Sequence, residues 1–170
     1  NMGYSKEVYQ KTGGFSKMRF GEDVDMSLRI LGMGFKTRLI EDAYVYHKRR
    51  TDLKKFYKQV FNSGIARINL YLLHPKSLKV VHFFPSAFVI GTLGLVLMGV
   101  LFPLAWLLIG FFAFMVIMDA TFQNRSLKVG VVSVFSSFVQ LFGYGLGFIK
   151  AFFLRLILKR ESFSAFNKNF

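Results

Sequence analysis

Two long uncharged apolar stretches constrain the fold of this chain more than any other feature. Residues 83–118 and 129–149 contain no Asp, Glu, Lys or Arg. A helix needs about 20 apolar residues to cross a bilayer core, so the first stretch can hold two short spans and the second one. Pro103 divides the first stretch, because proline ends a helix more readily than it continues one. The sequence predicts a transmembrane region at 83–158, with spans at 83–101, 103–119 and 129–150.

Charged residues are concentrated outside these stretches and are mostly basic. The chain has 23 Lys and Arg against 9 Asp and Glu. Lys and Arg beside membrane spans favour the cytoplasmic side and attract anionic lipids. We therefore expect a multi-pass protein of the inner (plasma) membrane, with anionic lipids as partners. Residues 1–82 and the loop after the second span would be cytoplasmic.

The course of the third apolar segment stays open. If it spans, the basic tail at 159–170 lies outside, against the charge rule. The glycine-rich string "GYGLGF" is a soft point at which the segment can bend, re-enter or turn along the interface.

The part before the spans, residues 1–50, combines short helices with candidate strands. Ser5 is a suitable N-cap for a short helix, "KEVYQKT". A second helix is predicted at 22–33, with apolar residues spaced i, i+4 and i+7 from Val24 and with Gly34 at its end. The strings "FKTRLI" and "AYVYH" are rich in aromatic and β-branched residues and predict strands.

Residues 51–82 predict an amphipathic helix and a linker directly before the first span. Thr51 or Asp52 caps the helix and Pro75 closes it. Its apolar residues share one stripe, whereas its Lys residues fall largely elsewhere. Such a helix can lie in the lipid headgroup layer, and the basic segment that leads into the bilayer favours this position. The alternative is a core helix packed on the soluble part.

Three carboxylates stand together at the predicted start of the second helix. Glu22, Asp23 and Asp25, here called the acidic turn, fall within four positions of a strongly basic chain. Acidic residues in a first turn complement the helix dipole and cap free amides, which explains them without any chemistry. A carboxylate held rigidly at a helix start is also well placed to act as a general base.

The order of features around the acidic turn resembles a known family. The string "TGGFSKMRFGEDVDMSLRILGMGFKTRLIEDAYVYH" is similar to the C-terminal half of the catalytic domain in family-2 glycosyltransferases of the GT-A fold. That family carries a pattern like "GGF…EDxDLxxRLxxxGy…H". The resemblance runs from Asn1 to His47, and the following helix and spans match the membrane-anchored bacterial members. It implies an α/β fragment, half of a GT-A domain, followed by an interfacial helix and about three transmembrane helices.

The resemblance also implies roles for individual residues. Asp23 falls on the family's catalytic base, and Glu22 would orient the acceptor or that base. His47 falls on a histidine that often joins the divalent metal, although a structural histidine is equally ordinary there. Gly13 and Gly14 would let the backbone approach the donor sugar, since neither carries a Cβ; a helix end followed by a turn explains them as well.

Further candidates lie beyond the matched string. Arg50 can reach the donor pyrophosphate, and Gln59 and Arg67 are candidates for a donor or acceptor contact. A solvated basic face is the simpler explanation of Gln59 and Arg67. Processive relatives carry a Gln-x-x-Arg-Trp element on such a helix. Here Gln59 stands in "KQVFNSGIAR" without an Arg-Trp at that spacing, which argues against a cellulose- or hyaluronan-synthase type of polymerase.

The resemblance implies transfer of a sugar from a nucleotide-sugar donor to a lipid-linked or saccharide acceptor, in cell-surface polysaccharide or glycolipid synthesis. A divalent metal, Mn²⁺ or Mg²⁺, would be held mostly by an N-terminal half with an Asp-x-Asp strand. Since these 170 residues lack that element, we expect them to be inactive alone.

Other classes of protein fit the sequence less well. A membrane anchor without chemistry, or a small transport subunit, is the alternative, and the scarcity of charges within the spans favours anchoring over conduction. The basic residues flank the membrane segments and no recognition helix is evident, so nucleic acid is not expected as a partner. The absence of cysteine excludes a disulfide framework and a thiolate metal site.

Overall fold

The computed structural model describes residues 2–18, 20–46 and 52–160, and within these ranges the chain folds into six α-helices. They are α1 (Lys6–Thr12), α2 (Glu22–Gly32), α3 (Leu53–Leu73), α4 (Phe84–Leu101), α5 (Trp106–Asn124) and α6 (Leu127–Phe152). Short 3-10 turns, Pro75–Ser77 and Val80–Phe83, connect α3 to α4, and a third, Pro103–Ala105, connects α4 to α5. A π-helical turn, Phe153–Ile157, follows α6.

The predicted α/β class is wrong, because the described ranges contain helices and no β-strand. Residues 35–46, which include most of both predicted strands, contain only a turn in which the Ala43 N–H donates to the Ile40 carbonyl oxygen. Leu39 and Tyr46 are 83% and 94% exposed. A strand obtains its backbone hydrogen bonds from a neighbouring strand, and a favourable composition does not supply that neighbour. The described residues between 2 and 46 therefore do not form the α/β half-domain that was expected.

The two short helices begin and end where their local sequence predicts. The Ser5 hydroxyl accepts a hydrogen bond from the Val8 N–H at 3.3 Å and caps α1. Gly13 ends α1 in the left-handed conformation, with φ of 75°. α2 begins at Glu22, and Gly34 follows its end with φ of 80°. A residue with a Cβ is strained in that conformation, so glycine suits both helix ends.

The buried face of α2 differs from the predicted one. Met26 and Ile30 are buried, together with the carboxylate of Asp25. Leu31, which the i, i+4, i+7 spacing placed on the apolar face, is 52% exposed. The apolar spacing does not identify the buried face of α2, because that face includes a charged residue, Asp25, beside Met26 and Ile30.

α3 packs along the C-terminal half of α6, and this is the largest helix–helix contact among the described residues. Glycines allow the two backbones to approach. A Cβ at Gly64 of α3 would overlap the carbonyl oxygen of Tyr144, and a Cβ at Gly147 of α6 would overlap that of Phe61. Helix pairs in membranes commonly have small residues at their interface, which let the two backbones come into direct contact. We call this contact the glycine seam.

The helix of the third apolar segment does not bend at its glycine-rich string, "GYGLGF". α6 runs without interruption from Leu127 to Phe152, and Gly143, Gly145 and Gly147 are buried within it. Gly143 and Gly147 face α3, whereas a Cβ at Gly145 would meet Pro85 and Val89 of α4. These glycines therefore serve close packing on two neighbouring helices.

Three segments are long and apolar enough to cross a membrane: Val80–Leu101, Pro103–Asn124 and Leu127–Ile157. Their helices meet at an aromatic cluster in which the Phe88 ring lies 4.9 Å from Phe112 and 5.7 Å from Phe138, between ring centroids. The chain is thus built as a multi-pass membrane protein. The observed segments extend a few residues beyond the predicted spans.

Candidate active site

The acidic turn is placed against the C-terminal part of α3. Gly21 immediately precedes it, with φ of 82°. A Cβ at Gly21 would lie 3.3 Å from Leu70 Cδ1 and 3.5 Å from Ala66 Cβ, both on α3. Glycine at this position allows the left-handed turn and the close approach at once. The start of α2 therefore packs directly against α3.

Asp25 is the buried member of the acidic turn, with a side chain that is 3% exposed. Its Oδ2 accepts a hydrogen bond from Arg29 Nε at 3.1 Å and lies 2.9 Å from Arg29 Nη2. Its Oδ1 lies 2.7 Å from Nε2 of His74, the residue that caps the C-terminus of α3. Because an ionised carboxylate only accepts, the imidazole N–H donates. One oxygen of Asp25 is thus engaged within α2 and the other by α3.

Arg29 extends this network to the Gly13–Gly14 loop. Its Nη1 donates to the carbonyl oxygen of Thr12, and its Nη2 donates to that of Gly14 at 2.7 Å. The loop before the acidic turn, the turn itself and the end of α3 are therefore joined by one set of charge-assisted hydrogen bonds. We call Asp25, Arg29 and His74 the polar network.

The ionisation of Asp25 follows from these contacts. Burial raises the pKa of the Asp25 carboxyl, but the hydrogen bonds from His74 and Arg29, with the Arg29 charge, outweigh it and hold the pKa below its usual range. Asp25 is therefore ionised at neutral pH. A carboxylate with both oxygens engaged is suited to fixing the turn and not to accepting a proton.

Asp23 has a different environment at the same helix start. It is exposed, and its Oδ1 accepts a hydrogen bond from the Val24 N–H at 2.8 Å. Glu22, beside it, is half-buried. The acidic turn thus contains one buried and fixed carboxylate, Asp25, and one solvent-exposed carboxylate, Asp23.

Comparison with known families identifies the class of protein. A family model described as "Glycosyl transferase family group 2" matches residues 1–118 of the 170. The chain belongs to glycosyl transferase family group 2. Neither the curated proteins nor the solved structures give a match. The matched part of this glycosyl transferase contains the acidic turn, the polar network and α3. Family membership supports a transferase over an anchor without chemistry or a transport subunit.

The other predicted site residues of the glycosyl transferase are not all brought together. The Gly13–Gly14 loop is joined to the acidic turn through Arg29. Gln59 is exposed on α3, seven residues before Ala66, or roughly 10 Å along the helix axis from the contact with Gly21. Arg67, the residue after Ala66 on α3, is half-buried.

Two predicted residues, His47 and Arg50, lie outside the described residues, so their roles stay predictions. The residues that are described do not fit a resident metal ion. Within them no group of three His, Cys, Asp or Glu side chains could hold one. The buried carboxylate of Asp25 is committed to Arg29 and His74. Among the described residues, the Asp25 carboxylate is therefore engaged in positioning the acidic turn.

Sequence reasoning missed two members of the polar network. Arg29 stands at i+4 from Asp25, a spacing that places the two side chains together on a helix and that identifies the ion pair from sequence. His74 lies 49 positions away from Asp25 along the chain. No local pattern indicates a contact of that separation.

Proposed function

We propose that this glycosyl transferase moves a sugar from a nucleotide-sugar donor to an acceptor hydroxyl at the membrane surface, with Asp23 as the general base. One observation carries the proposal: Asp25 is buried and fixed by Arg29 and His74, while Asp23, two residues earlier, is exposed. In this proposal Asp25 holds the turn in place and Asp23 takes the proton.

The chemistry requires such a separation. As the acceptor hydroxyl attacks the donor sugar, a base must take its proton, and a base that is held in place lowers the barrier further than a mobile one. The Val24 N–H bond and the helix start restrict the Asp23 carboxylate. Glu22, half-buried beside it, is proposed to orient the acceptor or the base.

The position of the acidic turn supports a membrane-bound acceptor. His74, which binds Asp25, is separated from the first residue of α4 only by the 3-10 turns at 75–83. The turn is thus tied to the segment that leads into the membrane, where a lipid-linked acceptor would present its hydroxyl. A saccharide acceptor, with polysaccharide or glycolipid as product, fits the same site.

Several elements of the proposal rest on the sequence. They are a cytoplasmic active site at the inner membrane, anionic lipid partners, Mn²⁺ or Mg²⁺ with His47 as a ligand, approach of Gly13 and Gly14 to the donor, and substrate contacts by Arg50, Gln59 and Arg67.

Replacement of Asp23 by Asn in the full-length protein tests the proposal. Asparagine keeps an oxygen for the Val24 N–H but cannot take a proton. We expect membranes carrying Asp23→Asn to lose about 10²–10⁴-fold in sugar transfer from a panel of radiolabelled nucleotide sugars. Glu7→Gln is the matched control, since Glu7 is an exposed first-turn carboxylate of α1 that pairs with Lys11. Full activity of Asp23→Asn would remove Asp23 as the base.

A further inference from the structure

The two ends of α6 contact elements that belong to one side of the membrane. At its start, Ser126 caps the helix directly after α5. A Cβ at Gly130 would lie 2.8 Å from the carbonyl oxygen of Ile117 and would overlap Thr121, both in the last two turns of α5. The N-terminal end of α6 therefore lies at the level where α5 ends.

The other end of α6 lies beside α3 and the turns that precede α4. The ring of Phe148 lies 5.1 Å from that of Phe83, between centroids. Leu156, near the end of the π-helical turn, and Leu78, between α3 and α4, pack against the same buried cluster of α3 and α6 residues. The C-terminal end of α6 therefore lies at the level where α4 begins.

The start of α4 and the end of α5 share one membrane surface. α4 and α5 have 18 and 19 residues, and at about 1.5 Å per residue each matches a bilayer core of about 30 Å. Only residues 102–105 connect them. If each helix crosses once, the chain returns to the surface from which it entered.

These contacts decide the course of α6. A crossing α6 would carry its C-terminal half to the opposite surface. α3 packs on that half through the glycine seam, so α3 would have to follow it into the bilayer. The exposed Lys54, Lys55 and Lys58 of α3 would then meet hydrocarbon, which strongly disfavours charged side chains.

We infer that α6 lies along the membrane surface that carries α3 and does not cross, although it is long and apolar enough to do so. The outer face of α6 and the π-helical turn, with Val132, Phe135 and Phe153 each at least half exposed, then contacts the lipid headgroup layer. The protein has two spans, α4 and α5. The inference concerns the membrane alone and does not depend on the proposed sugar transfer.

Charge independently supports this topology. A crossing α6 would leave Arg155, Lys159 and Arg160 on the side opposite the other basic segments. With α6 in the surface, all of them lie on the side of α3, where the positive-inside tendency and anionic headgroups favour them.

Single-cysteine labelling in sealed membrane vesicles tests the inference, and the 170-residue sequence itself contributes no cysteine. Lys17→Cys reports the side of the acidic turn, Leu104→Cys reports the α4–α5 connection, and Lys159→Cys reports the end of α6. All three positions are exposed. A membrane-impermeant maleimide should label Lys17→Cys and Lys159→Cys in vesicles of one orientation and Leu104→Cys in vesicles of the other.

A second labelling position on α6 controls for a local effect of the substitution at Lys159. Lys128→Cys, at the exposed start of α6, should label from the same side as Lys17→Cys. Labelling of Lys128→Cys with Lys17→Cys but of Lys159→Cys with Leu104→Cys would mean that α6 crosses, and would overturn the inference. Labelling of Leu104→Cys from the side of Lys17→Cys would overturn it too, because the hairpin would not cross.

Discussion

The polar network and the glycine seam both use α3, and they hold their partners by opposite means. The network joins the acidic turn to the end of α3 with a few directional hydrogen bonds around a single carboxylate. The seam joins α3 to α6 through backbone-to-backbone contact at glycines. Directional bonds fix a small exposed feature in one orientation, whereas close packing accumulates many weak contacts over a long surface. α3 thus connects a candidate catalytic turn to the membrane anchor.

This difference predicts how substitutions should affect stability in each of the two regions. A buried charge that loses its partners is costly and local, because the remaining charge stays desolvated. A helix seam that gains a methyl group must separate along part of its length, because the obstacle is backbone and cannot rotate away. Substitutions in the two regions should therefore be separable in both size and consequence.

The largest effect on stability is expected for Asp25→Asn. It removes the charge that pairs with Arg29 and the ionised acceptor of His74, and we expect a loss of about 3 kcal/mol in the free energy of unfolding. Denaturant titration of the full-length protein in detergent measures it. Asp42→Asn, at an exposed position, is the control and should change little. Equal stability of the two variants would show that the polar network does not hold the turn.

A smaller effect is expected for Gly147→Ala in the glycine seam. The new methyl group overlaps the Phe61 carbonyl oxygen, and overpacking of this kind typically costs about 1–3 kcal/mol. Gly94→Ala in α4 is the matched control, since a Cβ there meets nothing within 4 Å. Gly94→Ala should be neutral or slightly stabilising because alanine favours a helix. If both variants behave alike, α3 and α6 are not in backbone contact.

The smallest effect on stability is expected when the pH is lowered. The pKa of Asp25 is lowered in the folded protein, so its contribution is complete above the unfolded value of about 3.9 and is lost as pH falls through the folded pKa. The stability difference between wild type and Asp25→Asn should therefore stay constant near pH 5 and shrink below about pH 4. Denaturation midpoints at a series of pH values measure it. A difference that grows on acidification would contradict the assigned ionisation.

Local signals predicted much of this molecule. The caps at Ser5 and Asp52, the left-handed Gly13 and Gly34, and the apolar segments all follow from interactions within a few residues. The Asp52 side chain, for example, accepts hydrogen bonds from the N–H groups of Lys54 and Lys55 as a cap should.

The features that sequence did not predict depend on distant partners. The strands expected within 35–47 needed neighbouring strands, and the described residues supply none. The bond between Asp25 and His74, 49 positions apart, has no local signature. The packing of α6 on α3 required knowing which helix its glycines face. The roles of Asp23 and Glu22 came from a family resemblance, and they stay predictions until activity is measured.

A double-mutant cycle on Asp25 and His74 tests most directly whether this hydrogen bond ties the acidic turn to the membrane-proximal end of α3. The free energies of unfolding of wild type, Asp25→Asn, His74→Gln and the double variant give the coupling between the two side chains. We predict a coupling of at least about 1 kcal/mol, as expected for a charge-assisted bond. Additivity of the two substitutions within about 0.3 kcal/mol would contradict the account, because the two residues would then act independently.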